Sequence, residues 1–136
     1  MHKRPRRLRI HIGGFLGPSW SVELVRGKLH CRSSPLRYAD WKTEVVTVTD
    51  EQWAAFRSAL DALGVWQWRP EYPNPGVCDG TGWSIDIAYA DRKIRSHGDN
   101  NYPRRDGSPN NEPTQTETFA EFCRAVRSLL GGRDFH

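Results

Sequence analysis

A chain of 136 residues, 37% hydrophobic and 26% charged, is sized for one domain with a single modest core. Its formal charge of +4 is mild, and no apolar run approaches the ~20 residues of a membrane span. Cys31, Cys78 and Cys123 are far apart and odd in number, which argues against a disulfide framework. The expectation is a cytoplasmic protein in a reducing compartment. Six tryptophans, four tyrosines and five phenylalanines compensate for the scarcity of aliphatics, because each ring buries a large area.

In chain order, residues 1–7 read as a disordered basic arm, and 8–132 as one α+β domain. Leu8, Ile10 and Ile12 alternate with Arg9 and His11, the period of a half-buried strand. Trp20, Val22 and Leu24 begin a second alternation. Arg26-Gly27 turns it back into Lys28-Leu29-His30-Cys31-Arg32, a hairpin. Residues 33–42 read as a loop and Thr43–Val48 as a third strand. Thr49 with Gln52 forms a capping box. Trp53, Phe56, Leu60 and Leu63 then share one helical face, and Gly64 stops the helix. Val65-Trp66-Gln67-Trp68 alternates like a short strand, and Pro70 to Gly76 reads as a stiff connector.

Trp83, Ile85, Ile87 and Tyr89 alternate in the central strand, which returns through Ile94 and Ser96. Residues 104–116 are polar and read as a mobile loop. Thr118 with Glu121 suggests a second capping box, ahead of Phe119, Phe122, Val126 and Leu129 on one face; residues 133–136 read as a tail. The Trp20 and Trp83 hairpins match residue type by residue type, and the Trp53 and Phe119 helix faces match too. That likeness predicts an internal repeat of two β-hairpin-plus-helix units, about 8–69 and 77–132. The units would share one core in an antiparallel sheet with both helices packed on one face.

The densest polar cluster is Asp79, His97, Asp99, Asn100, Asn101 and Tyr102, with Cys78 beside it. The two ends of one hairpin would bring these groups to one edge, as a binding site or as a turn built by Asn, Asp and Gly. A nucleophilic triad of Cys78, His97 and Asp99 can be written, but nothing in the spacing demands it. No recognised metal-ligand spacing or cofactor motif is present. No catalytic or metal residue and no cofactor is therefore assigned. Trp66 and Trp68 would serve a partner if exposed and close the core if buried.

Asp79-Gly80-Thr81-Gly82-Trp83-Ser84-Ile85-Asp86-Ile87, with Gly98, Asn100, Tyr102 and Pro103, resembles small bacterial proteins of unknown function that carry a DGTxWxLxI strand and a GxNxYP loop before a helix. The likeness spans roughly residues 78–130. It implies the fold of that region and no reaction. This chain departs from the pattern by inserting residues 104–116 before the helix. The functional expectation is a non-enzymatic module that binds a protein or peptide at the second hairpin's polar end. The alternatives are nucleic-acid binding, through the arm and the sheet face bearing Lys28, His30, Lys93, Arg95 and His97, and a small Cys/His hydrolase.

Overall fold

Period-two patterning sets the sheet. In a computed structural model that describes residues 4–14, 17–35, 41–75 and 80–136, the strands are β1 (Arg7–Gly14), β2 (Ser19–Val25), β3 (Lys28–Ser34), β4 (Lys42–Val46), β5 (Glu71–Tyr72), β6 (Thr81–Ala88) and β7 (Lys93–Asp99). The helices are α1 (Asp50–Leu63) and α2 (Glu117–Leu129). The strands form one sheet in the order β4-β3-β2-β1-β6-β7-β5. It is mixed rather than antiparallel, because β5 runs parallel to β7. That pairing comes from the proline connector. Pro70 O accepts the His97 amide at 3.1 Å, and Ser96 Oγ donates to Arg69 O at 2.5 Å.

One sheet face is apolar. Leu8, Ile10, Ile12, Val22, Leu29, Trp83, Ile85, Ile87 and Ile94 are buried in a single cluster with the apolar faces of α1 and α2. The α1 cap forms as its sequence dictates. Thr49 Oγ1 accepts the Gln52 amide at 3.1 Å, and Gln52 Oε1 accepts the Thr49 amide at 2.9 Å. Gly64 closes the helix at φ 67°, a left-handed conformation that glycine adopts without cost. In α2 the cap lies two residues before the expected Thr118. Thr116 Oγ1 accepts the Phe119 amide at 3.1 Å, Thr118 is buried in the first turn, and Glu121 pairs with Arg105 at 3.1 Å.

Other segments also differ from expectation. Val65–Gln67 is a 3-10 helix, not a strand. Its three-residue period buries Val65 and Trp68 together. Trp68 packs against Trp83, Phe119 and Phe122, while the half-buried Trp66 donates to Asp61 at 2.7 Å. Arg6 already donates its amide to Ala88 O at 2.6 Å, and Pro5 is buried. At the other end Phe135 is buried, and the His136 ring lies 4.6 Å from that of Trp20.

The strand order corrects the expected repeat. Both β2 and β6 pair with β1, and Trp20 and Trp83 both face Ile12. The two hairpins therefore start in the same direction with their tryptophans on the same face. Yet β3 lies on one side of this trio and β7 on the other. A rotation that superposes the hairpins turns the apolar face of one onto the polar face of the other. Matching residue types in two hairpins does not fix the side to which each returns.

Candidate functional site

The loop after β7 separates the residues that its sequence groups together. Alternation sends His97 and Asp99 to the polar outer face and Gly98 to the buried one. Asn100, Asn101 and Tyr102 are buried. Cys78 and Asp79, expected at the same edge as this loop, lie outside the described residues.

Each buried member has an internal partner. Asn100 adopts φ 48°, and its Oδ1 accepts the Thr81 amide at 3.1 Å. Asn74 Nδ2 donates to Asn100 O at 2.9 Å. Asn101 Nδ2 donates to Pro73 O at 2.9 Å and to Asn111 Oδ1 at 3.0 Å, while its Oδ1 accepts the Asn111 amide at 2.8 Å. The Tyr102 amide donates to Asn110 Oδ1 at 2.9 Å, and its ring stands 4.9 Å from Phe119. Burial raises the Tyr102 pKa above its ordinary value of 10.0. Stretch 104–116 also carries internal bonds, with Tyr72 Oη donating to Gly107 O at 2.7 Å and a bridge between Pro103 and Pro109. Asn74, Asn110 and Asn111 escaped notice in the sequence. Their only signal there is an asparagine pair in a proline-rich loop.

The outer face of the sheet is where polar groups gather in reach of solvent. Register aligns them in rows across the strands. One row runs Ser19, Gly13, Gly82, Asp99; the next runs Arg32, Ser21, His11, Ser84, His97; a third runs His30, Glu23, Arg9, Asp86, Arg95. The glycines and serines make a low floor. A cleft of about 500 Å³ lies over Arg9, His11, Ser21, Glu23, His30, Arg32 and Ser84. A second, of about 550 Å³, is lined by Gly13, Gly82, Asp99, Asn100 and Asn74, among others. The Gly13 row of this second lining is the neighbour, on the same face, of the His11 row beneath the first.

Charges on this face interleave. Arg9 holds Glu23 at 2.8 Å, and Asp86 takes Arg7 at 2.9 Å and Arg95 at 3.2 Å. Desolvation lowers the His11 pKa from its ordinary 6.5. His97 Nε2 stands 3.9 Å from Glu71. At the β4 side the Arg32 guanidinium lies 5.2 Å from the ring centre of the exposed Trp41.

The described thiols are poor nucleophiles. Burial pushes Cys31 up to about 11 and Cys123 up to about 12, leaving almost no thiolate at neutral pH. Among the described residues, no group of three His, Cys, Asp or Glu is placed to hold a metal ion, and no helix is long and apolar enough to cross a membrane. No protein-family model matches the chain, and no curated protein is significantly similar to it.

Proposed function

We propose that this protein is a non-catalytic binding module that holds an extended polypeptide segment across the outer face of its sheet. The observation behind it is the low Gly/Ser floor beside rows of Arg, His and carboxylate groups. A floor of short side chains lets another chain approach the sheet closely. Rows of both signs offer partners to a peptide's charged and polar side chains. The polar loop after β7 is then a brace for the domain, and its likeness to the GxNxYP proteins is a likeness of fold.

A polypeptide is favoured over nucleic acid for two reasons. Glu23 and Asp86 already engage Arg7, Arg9 and Arg95, which blunts attraction for phosphates. Aromatic platforms for stacking bases are also scarce on this face, where among the described residues Trp41, beside Arg32 at the β4 end, is the exposed one. We read both helices as covering the opposite, apolar face, as the 5.0 Å approach of Phe119 to Trp83 supports. The free thiols Cys31 and Cys123 fit a reducing, cytoplasmic setting.

The test is display selection of peptides on the full chain, followed by anisotropy titration of the selected peptides. A random single-stranded oligonucleotide is titrated beside them. Ser84→Trp fills the floor from a solvent-facing position. It is expected to weaken peptide binding at least tenfold and leave the unfolding midpoint unchanged. Peptide binding indifferent to Ser84→Trp would sink the proposal. So would tight oligonucleotide binding that falls steeply with salt when no peptide is selected.

A further inference from the structure

The two ends of the sheet are unlike. At one end β5 is two residues long, between Arg69-Pro70 and Pro73. At the other, β4 is the terminal strand, and among the described residues no strand pairs with its far edge. Its first four residues are exposed. The large exposed hydrophobics among the described residues, Trp41 at 41% and Val45 at 53%, both belong to this strand or its first flanking residue. Native proteins blunt or cover such edges, so an exposed edge carrying two apolar side chains calls for an occupant.

We propose that the occupant is β4 of a second copy, paired antiparallel about a two-fold axis at Thr43. The sequence Trp41-Lys42-Thr43-Glu44-Val45 is self-complementary in that register alone. Lys42 meets the second copy's Glu44, and Trp41 meets its Val45, each contact occurring twice by symmetry. Cross-strand pairs of opposite charge, and of aromatic with β-branched residues, are the favourable ones. Pairing centred on Glu44 would set like charges opposite each other. Residues 41, 43 and 45 share the outer face, since Val45 lies across from His30 and Thr43 from Arg32. The apolar pairs therefore close on the outer side and the ionic pairs on the helix side. There Glu44 Oε2 already accepts from Arg133 at 2.7 Å, leaving its other oxygen for the lysine. The result is one sheet continuous through both copies, with both outer faces on the same side. This inference rests on the strand edge and not on the peptide-binding reading.

Sedimentation velocity of the full chain over a wide concentration range tests it. The wild type is expected to show a reversible monomer–dimer equilibrium. Thr43→Pro removes an edge amide and should give a monomer with an intact unfolding transition. Lys42→Glu and Glu44→Lys, each alone, set like charges opposite one another and should weaken dimerisation about tenfold or more. Mixing these two variants restores both ionic pairs, so the mixture should dimerise better than either alone. A wild type that stays monomeric at every concentration overturns the proposal. So does a dimer that survives Thr43→Pro, or a mixture no better than its components.

Discussion

The indole nitrogen of Trp83 donates to the carbonyl of Asn101 at 2.9 Å, and it reaches that oxygen by passing over Gly98. A Cβ at position 98 would stand 2.5 Å from the indole nitrogen and 2.7 Å from Asn101 O. Strand, loop and core are locked together at this point. Gly98→Ala must therefore displace either a core tryptophan or a backbone carbonyl. The expected cost is about 3 kcal/mol, the upper end for overpacking, read as a lower urea midpoint. Trp83→Phe keeps a ring but leaves the carbonyl without its donor, and should cost about 1–3 kcal/mol. A midpoint unchanged in Gly98→Ala would refute this account of the loop.

Asn100 is asked to do two things, and substitution separates them. Its backbone sits at φ 48°, and its side chain caps the Thr81 amide. Asn100→Gly keeps the backbone at ease and loses about 1 kcal/mol with the bond. Asn100→Ala loses the bond and adds about 1–2 kcal/mol for a left-handed residue with a Cβ. Denaturant titration should rank wild type above Gly and Gly above Ala. An alanine variant as stable as the glycine variant would show that the backbone is not strained there.

Tyr102 fastens the loop to α2 through its ring. Tyr102→Ala should cost about 3–5 kcal/mol, as for other buried aromatics. Tyr102→Phe keeps the buried ring and its packing on Phe119, and should cost about 1 kcal/mol or less. Binding by the folded fraction should be the same in both variants, measured with whichever peptide the display selection yields. A Tyr102→Phe variant that folds normally and fails to bind would return the hydroxyl to the list of ligand contacts.

His11 supplies a pH dependence. Desolvation lowers its pKa in the folded state below the ordinary 6.5, so the unfolded chain takes up the proton first. Stability from this group is complete above about pH 6.5 and falls as the pH drops toward the folded value. Unfolding midpoints at pH 7.5 and 5.5 should differ less in His11→Gln than in the wild type. Equal differences in the two proteins would show that His11 does not titrate this way.

Much of the fold was legible because its signals are local. Thr49, Gln52 and Gly64 read correctly as the ends of α1, and the alternations from Leu8, Trp20 and Trp83 read correctly as strands. Other features depend on distant partners. Glu71 and Tyr72 became strand only because β7 lay alongside. Trp66 and Trp68 fit a two-residue period on paper, but the reversal at Gly64 places Val65 and Trp68 on the inner side instead. The side to which each hairpin returns is set by sheet assembly, which no short pattern encodes. For the candidate site, turn chemistry at Asn100 and Asn101 was visible. Their partners Pro73, Asn74 and Asn111 were not, since nothing in the sequence ties those positions to the loop. The outer-face rows became visible only once β1 was placed between β2 and β6.

The short parallel strand β5 has a consequence for growth. A sheet open at both edges can add copies without limit and become a fibre. Here Pro70 and Pro73 offer no amide to an incoming strand, and the two residues between them give it little to hold. Among the described residues the edge left for extension is β4, and a two-fold pairing uses that edge up in both molecules at once. Association by this route stops at two, so the chain can display an adhesive strand without seeding aggregation.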